Sequence, residues 1–77
     1  MKIRYTHAHG TTVSGMPKND PLARHAAEAY GYALNTDARA GRWHDPREFA
    51  QAIRETFDCE ENTQNAAIAS HLEALTV

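Results

Sequence analysis

Apolar and polar residues alternate one by one near the start of the chain. Ile3, Tyr5 and His7 fall on one face and Arg4, Thr6 and Ala8 on the other, and β-branched Thr11, Thr12 and Val13 follow Gly10. This pattern predicts a β-hairpin over about 2–16. A two-residue turn at His9-Gly10 sets Ile3 opposite Met16 and Tyr5 opposite Ser14. A lone hairpin is marginal in water, so it must lean on whatever follows.

After the loop around Pro17, Lys18 and Asn19, the period changes from two to nearly four. Asp20-Pro21 is a helix start, because Asp accepts free first-turn N–H groups and Pro at the first helical position forfeits no hydrogen bond. Leu22, Ala26, Ala29 or Tyr30, and Ala33 recur at helical spacing, which predicts a helix over about 21–34. Gly31 inside it costs about 1 kcal/mol relative to Ala, and its presence points to close approach of another backbone or to a break after Tyr30, the first being favoured.

The strongest start signal is Asp45-Pro46-Arg47-Glu48, with an N-cap, a first-position Pro and a Glu able to reach back in a capping box. His44 and Phe49 occupy the positions of a hydrophobic staple. Phe49, Ile53 and Phe57 repeat every four residues, with Ala50 and Ala52 beside them, predicting a helix over about 46–58. Asn62 or Thr63 can cap a third helix, about 63–75, whose apolar stripe is Ile68, Leu72 and Leu75 with Ala69 alongside. The expected fold is α+β, mostly helical: a hairpin packed on three helices, in a single domain spanning 1–77.

Composition makes that core thin. Hydrophobic residues are 42% of 77, but 14 of them are alanine and only 11 are Leu, Ile, Val or Phe. Little stability is left in reserve, so self-association, including a homodimer, or a partner contact through the Ala-rich helix or the hairpin edge is expected. No apolar run is long enough to span a bilayer and the N-terminal residues do not resemble a signal peptide, so the expectation is no membrane and a cytoplasmic setting. Cys59 has no cysteine to pair with, which points to the same reduced compartment.

The net charge of −2 conceals a split. Residues 1–54 hold all eight Lys and Arg against five acids, net +3; residues 55–77 hold five acids and neither Lys nor Arg, net −5. The chain lacks the global basicity of a stand-alone nucleic-acid binder, which argues against direct nucleic-acid binding.

Catalytic chemistry has no foothold. Asp58, Glu60 and Glu61 surround Cys59 and oppose a reactive thiolate, the two serines Ser14 and Ser70 carry no nucleophile motif, and Gly10 and Gly15 are too sparse to cradle a phosphate. The expectation is no enzyme and no cofactor. His7 and His9 would share a strand face as half of a zinc or copper site, but His25, His44, His71 and Cys59 lie on separate elements and supply no second half. A metal-binding domain through His7 and His9 is therefore the third reading, with no complete metal site.

Interface chemistry is better represented. Arg39, Arg42, Trp43 and His44 lie in one predicted connecting loop, with Arg47 just beyond it at the start of the next helix, and Arg and Trp are the types enriched at binding hot spots. Trp43 also suits a core role, folded over Phe49. The opposite candidate is the acidic set Glu55, Asp58, Glu60, Glu61 and Glu73.

Residues 68–75, Ile-Ala-Ser-His-Leu-Glu-Ala-Leu, resemble the recognition helix of helix-turn-helix DNA-binding proteins. That resemblance implies a small DNA-binding regulator using the C-terminal helix pair, the second reading. The sequence departs from the pattern in its turn, Asp58-Cys59-Glu60-Glu61-Asn62, and in having no Lys or Arg to meet phosphate or guanine. The leading reading is a small non-enzymatic binding protein that docks on a larger protein or nucleoprotein complex. By size class it compares with phage- or plasmid-type inhibitors of host systems, anti-CRISPR proteins among them.

Overall fold

The computed structural model describes residues 2–6, 12–35 and 42–75, with the side chains of residues 2–6 and 35 outside the description. The elements run β1 (Lys2–Thr6), β2 (Thr12–Pro17), α1 (Pro21–Asn35), β3 (Arg42–Trp43), α2 (Pro46–Thr56) and α3 (Thr63–Ala74). The α+β, mostly helical fold expected from the patterning is the one observed. His7, His9 and the proposed His9-Gly10 turn lie outside the described residues.

β1 and β2 pair antiparallel, and Ile3 does face Met16. Tyr5, however, pairs with Val13 instead of Ser14, because the register shifts between Ile3 and Tyr5. Two steps along β1 match three along β2, so β2 carries the extra residue of a β-bulge. Gly15 lies within it at φ 84°, a left-handed angle that costs little only without a Cβ. The bulge decides which side chains reach the core. Val13 and Met16, three apart, would point to opposite faces of a regular strand, yet both are fully buried.

The sheet has a third strand that the patterning missed. Arg42 and Trp43, expected in a loop, form β3 and pair parallel with Thr12 and Val13, giving the order β1-β2-β3. Parallel neighbours need a long crossover, and α1 supplies it. Two residues are too few to show a period, so only the distant partner strand reveals β3.

α1 starts as expected: Asp20 Oδ1 accepts the N–H groups of Leu22 and Ala23, both at 3.0 Å. Its buried stripe differs from the expected one. Ala23, Ala26, Ala27, Tyr30, Gly31 and Leu34 face inward, whereas Leu22 and Ala29 are exposed and Ala33 is half-buried. The mean direction of the stripe is set by Tyr30 and Leu34, whose burial outweighs that of one leucine at the helix's first turn. Gly31 sits buried in unbroken helix, so the helix does not break after Tyr30.

At the start of α2, Asp45 Oδ1 accepts from Glu48 N at 2.9 Å, and Glu48 Oε2 accepts from His44 N at 3.1 Å. The reciprocal box therefore closes one residue before the cap. The staple shifts as well: His44 is exposed, and Trp43 packs edge-on against Phe49 with ring centroids 5.1 Å apart. An imidazole beside water and an indole beside a phenyl ring are each better solvated that way. Phe49, Ala50 and Ile53 are fully buried, and Phe57 caps the helix half-buried at the edge of the core. Asn62 caps α3, accepting from Gln64 and Asn65, and Ile68, Ala69 and Leu72 bury the predicted stripe with Leu75 partly covered.

Phe49 is the largest fully buried side chain among the described residues. Phe49→Ala should cost about 3–5 kcal/mol by urea denaturation, a large part of the roughly 5–15 kcal/mol that small domains possess. Gly15→Ala should lower stability by about 1–2 kcal/mol, because a Cβ opposes positive φ; an unchanged urea midpoint contradicts the bulge.

Candidate functional site

Three polar ties assemble the surface from residues distant in sequence. Arg54 on α2 grips Glu73 on α3 with two hydrogen bonds, Nε to Oε2 at 2.7 Å and Nη2 to Oε1 at 2.8 Å, and Nη2 also reaches Ser70 Oγ at 3.1 Å. The hydrogen bonds from Arg54 hold the Glu73 carboxyl below its ordinary pKa, and burial opposes them only in part. Glu73 is therefore engaged inside the fold and its charge is balanced, which sets it apart from the rest of the acidic set.

On the opposite side of α3, His71 Nε2 lies 2.7 Å from Asp20 Oδ2. Burial pushes the Asp20 carboxyl up, but the Ala23 N–H, the His71 ring and the Leu22 N–H together hold it below its ordinary value. Tyr30 makes the third tie. Its hydroxyl donates to Asn65 Oδ1, its ring meets Phe57 edge-on at 5.0 Å, and Asn65 Nδ2 donates to the Asp58 carbonyl at 2.9 Å. Burial raises the Tyr30 phenol and keeps it a donor.

The α2–α3 connection, residues 57–62, is the acidic centre. Asp58 Oδ1 accepts from Glu60 N at 3.0 Å and Glu61 N at 3.1 Å, a tight local turn that projects both glutamates just before the cap of α3. Acids at a helix N-terminus are favoured by its dipole, which explains how this cluster is tolerated. Glu55, Asp58, Glu60 and Glu61 are all exposed. Cys59 between them is free and half-buried.

The basic candidates are less united. Arg39 lies outside the described residues. Arg42 and Arg47 are exposed, and Arg47 approaches Asp45 at 4.0 Å. Trp43 retains only 9% of its surface, so it cannot be a protruding anchor. Its exposed edge instead joins Leu34 and Ala52 at the floor of a groove of about 200 Å³, with Glu48, Gln51 and Glu55 on the α2 wall. The fold thus brings Trp43 and Glu55 together, although they belong to opposite halves of the charge split.

The recognition-helix resemblance meets particular obstacles in this setting. Six residues separate α2 from α3, the turn is lined with exposed acids, and His71, the basic residue of α3, is held by Asp20. Among the described residues no three His, Cys, Asp or Glu side chains converge as a metal site.

Arg54, Asn65 and the Asp20–His71 pair escaped sequence reasoning. Their partners lie 19, 35 and 51 residues away, where no periodicity operates. No protein-family model, curated protein or solved structure matches the chain.

Asp20 and Glu73 both titrate lower in the folded chain, so their contribution is complete above the ordinary carboxylate range and is lost as pH falls through roughly 4 and below. Urea midpoints should drop between pH 7 and pH 3, and the drop should shrink in Asp20→Asn and in Glu73→Gln. Solvent around both groups keeps each effect small.

Proposed function

We propose that this chain is a small non-enzymatic binding protein that docks on a basic surface of a larger protein or nucleoprotein complex. The observation that carries this reading is the run of exposed carboxylates at the C-terminal end of α2 and in the following turn: Glu55, Asp58, Glu60 and Glu61. No ion pair joins any of the four to a described Lys, Arg or His. Arg54, the cation of α2 next to this run in sequence, is committed to Glu73 and Ser70. Asp58 holds Glu60 and Glu61 in a fixed turn, and fixed charges bind with less entropy cost than mobile ones.

A dense row of carboxylates on a rigid turn complements surfaces that bind phosphates. The partner is accordingly a protein with a nucleic-acid-binding groove lined by Lys and Arg, and occupying that groove excludes the nucleic acid. This action is that of an inhibitor of a host system, exerted in the cytoplasm. No described helix is long and apolar enough to cross a membrane.

Affinity capture from the host followed by mass spectrometry identifies the partner, and Glu60→Lys/Glu61→Lys then tests the surface. Both side chains are exposed and the turn is held through their backbone, so the doubly substituted chain should fold normally by circular dichroism. Its affinity should fall by roughly tenfold or more and the wild-type salt dependence should flatten. Equal affinity in the two chains overturns the proposal.

A further inference from the structure

We propose that the groove beside Trp43 receives one arginine side chain of the protein partner. The inference rests on the docking reading above and specifies a contact at its edge, since Glu55 belongs both to the acidic run and to the groove wall.

The groove's size limits its occupant. About 200 Å³ is below the roughly 300–1,000 Å³ of small-molecule sites, and too little for a helix, but it suits a single long side chain. Its chemistry is graded in the way such a side chain is. Leu34, Trp43 and Ala52 offer an apolar floor to a methylene stem, while Glu48, Gln51 and Glu55 stand exposed along one face of α2 at the mouth. Glu48 and Glu55 are seven residues apart, about 10 Å along the helix axis, too far to grip one metal ion between them.

Both carboxylates retain binding capacity. Glu48 Oε2 accepts from His44 N and Glu55 Oε2 accepts from Gln51 Nε2, so in each the second oxygen has no partner among the described residues. Neither forms an ion pair with a described cation. An anion is repelled from this mouth, and a neutral apolar side chain fills the floor but pairs with neither carboxylate, whereas a cationic head pairs with one of them. Arginine fits better than lysine: its guanidinium gives a carboxylate at the mouth two parallel N–H donors in a fixed fork, while its stem covers the apolar floor.

Trp43 is the only tryptophan, so its fluorescence reports the groove directly. N-acetyl-arginine amide is titrated into the whole protein, with N-acetyl-citrulline amide as the uncharged isostere, while Trp43 emission and the amide resonances of Gln51 and Ala52 are followed. A saturable millimolar response to the arginine probe is expected, weaker by roughly tenfold in Glu48→Gln/Glu55→Gln. Gln at both positions keeps an acceptor oxygen for the existing hydrogen bond, so the fold is preserved. No saturation, an equal response to the citrulline probe, or binding only in Arg39→Gln, which signals that this chain's own arginine occupies the groove, overturns the inference. With the captured partner the two proposals separate. Binding lost in Glu60→Lys/Glu61→Lys but unmoved by Glu48→Gln/Glu55→Gln overturns the groove alone. The reverse pattern overturns the acidic-turn reading and leaves the groove standing.

Discussion

The buried small-residue face of α1 is the constraint on which the rest of this structure depends. Ala23, Ala26 and Ala27 are buried and Gly31 is buried in continuous helix, so β1, β2, α2 and α3 can all rest against α1 without large side chains to fill the gaps. With only 11 Leu, Ile, Val and Phe residues, a wider spacing would leave voids that this chain has nothing to fill. The large apolar groups, from Phe49, Ile53, Ile68 and Leu72 on α2 and α3 to Val13, Met16 and Trp43 on the sheet, join Tyr30 and Leu34 of α1 in one cluster.

A core this thin shifts part of the work of specifying the fold to polar groups. Each helix start is capped by an Asp or Asn side chain, and α3 is pinned on one side by Arg54 and on the other by Asp20. Asp20 serves twice, with one oxygen on the first turn of α1 and the other on His71. Protonating it weakens both at once. The Tyr30–Asn65–Asp58 relay connects the middle of α1 to the acidic turn, so the surface that carries the charge is anchored to the core beneath it.

Folding also redistributes the charge that the sequence separates into two halves. Glu73 leaves the acidic set by pairing with Arg54, and Arg54 leaves the basic half for the same reason. Among the acids of α2 and the following turn, Glu48, Glu55, Asp58, Glu60 and Glu61 stay exposed, with Glu48 and Glu55 on the wall of the Trp43 groove. On the proposed docking reading, fixed carboxylates beside an apolar notch would discriminate among basic partners better than diffuse negative charge does.

Local signals were sufficient for much of this. The caps at Asp20, Asp45 and Asn62, the prolines after the first two, and the four-residue recurrence of Phe49, Ile53 and Phe57 specify three helices within a few residues of their ends, because capping and periodicity act over one or two turns. The same holds for the hairpin and for Ile3 opposite Met16. Tertiary structure alone decided the bulge at Gly15, the two-residue strand β3, the inward turn of Tyr30 and Leu34 in place of Leu22, and the exchange of His44 for Trp43 against Phe49. It alone also joined Arg54 to Glu73 and Trp43 to Glu55. Each depends on what a side chain meets across space, and a sequence in which the partners stand tens of residues apart carries no periodic trace of that meeting.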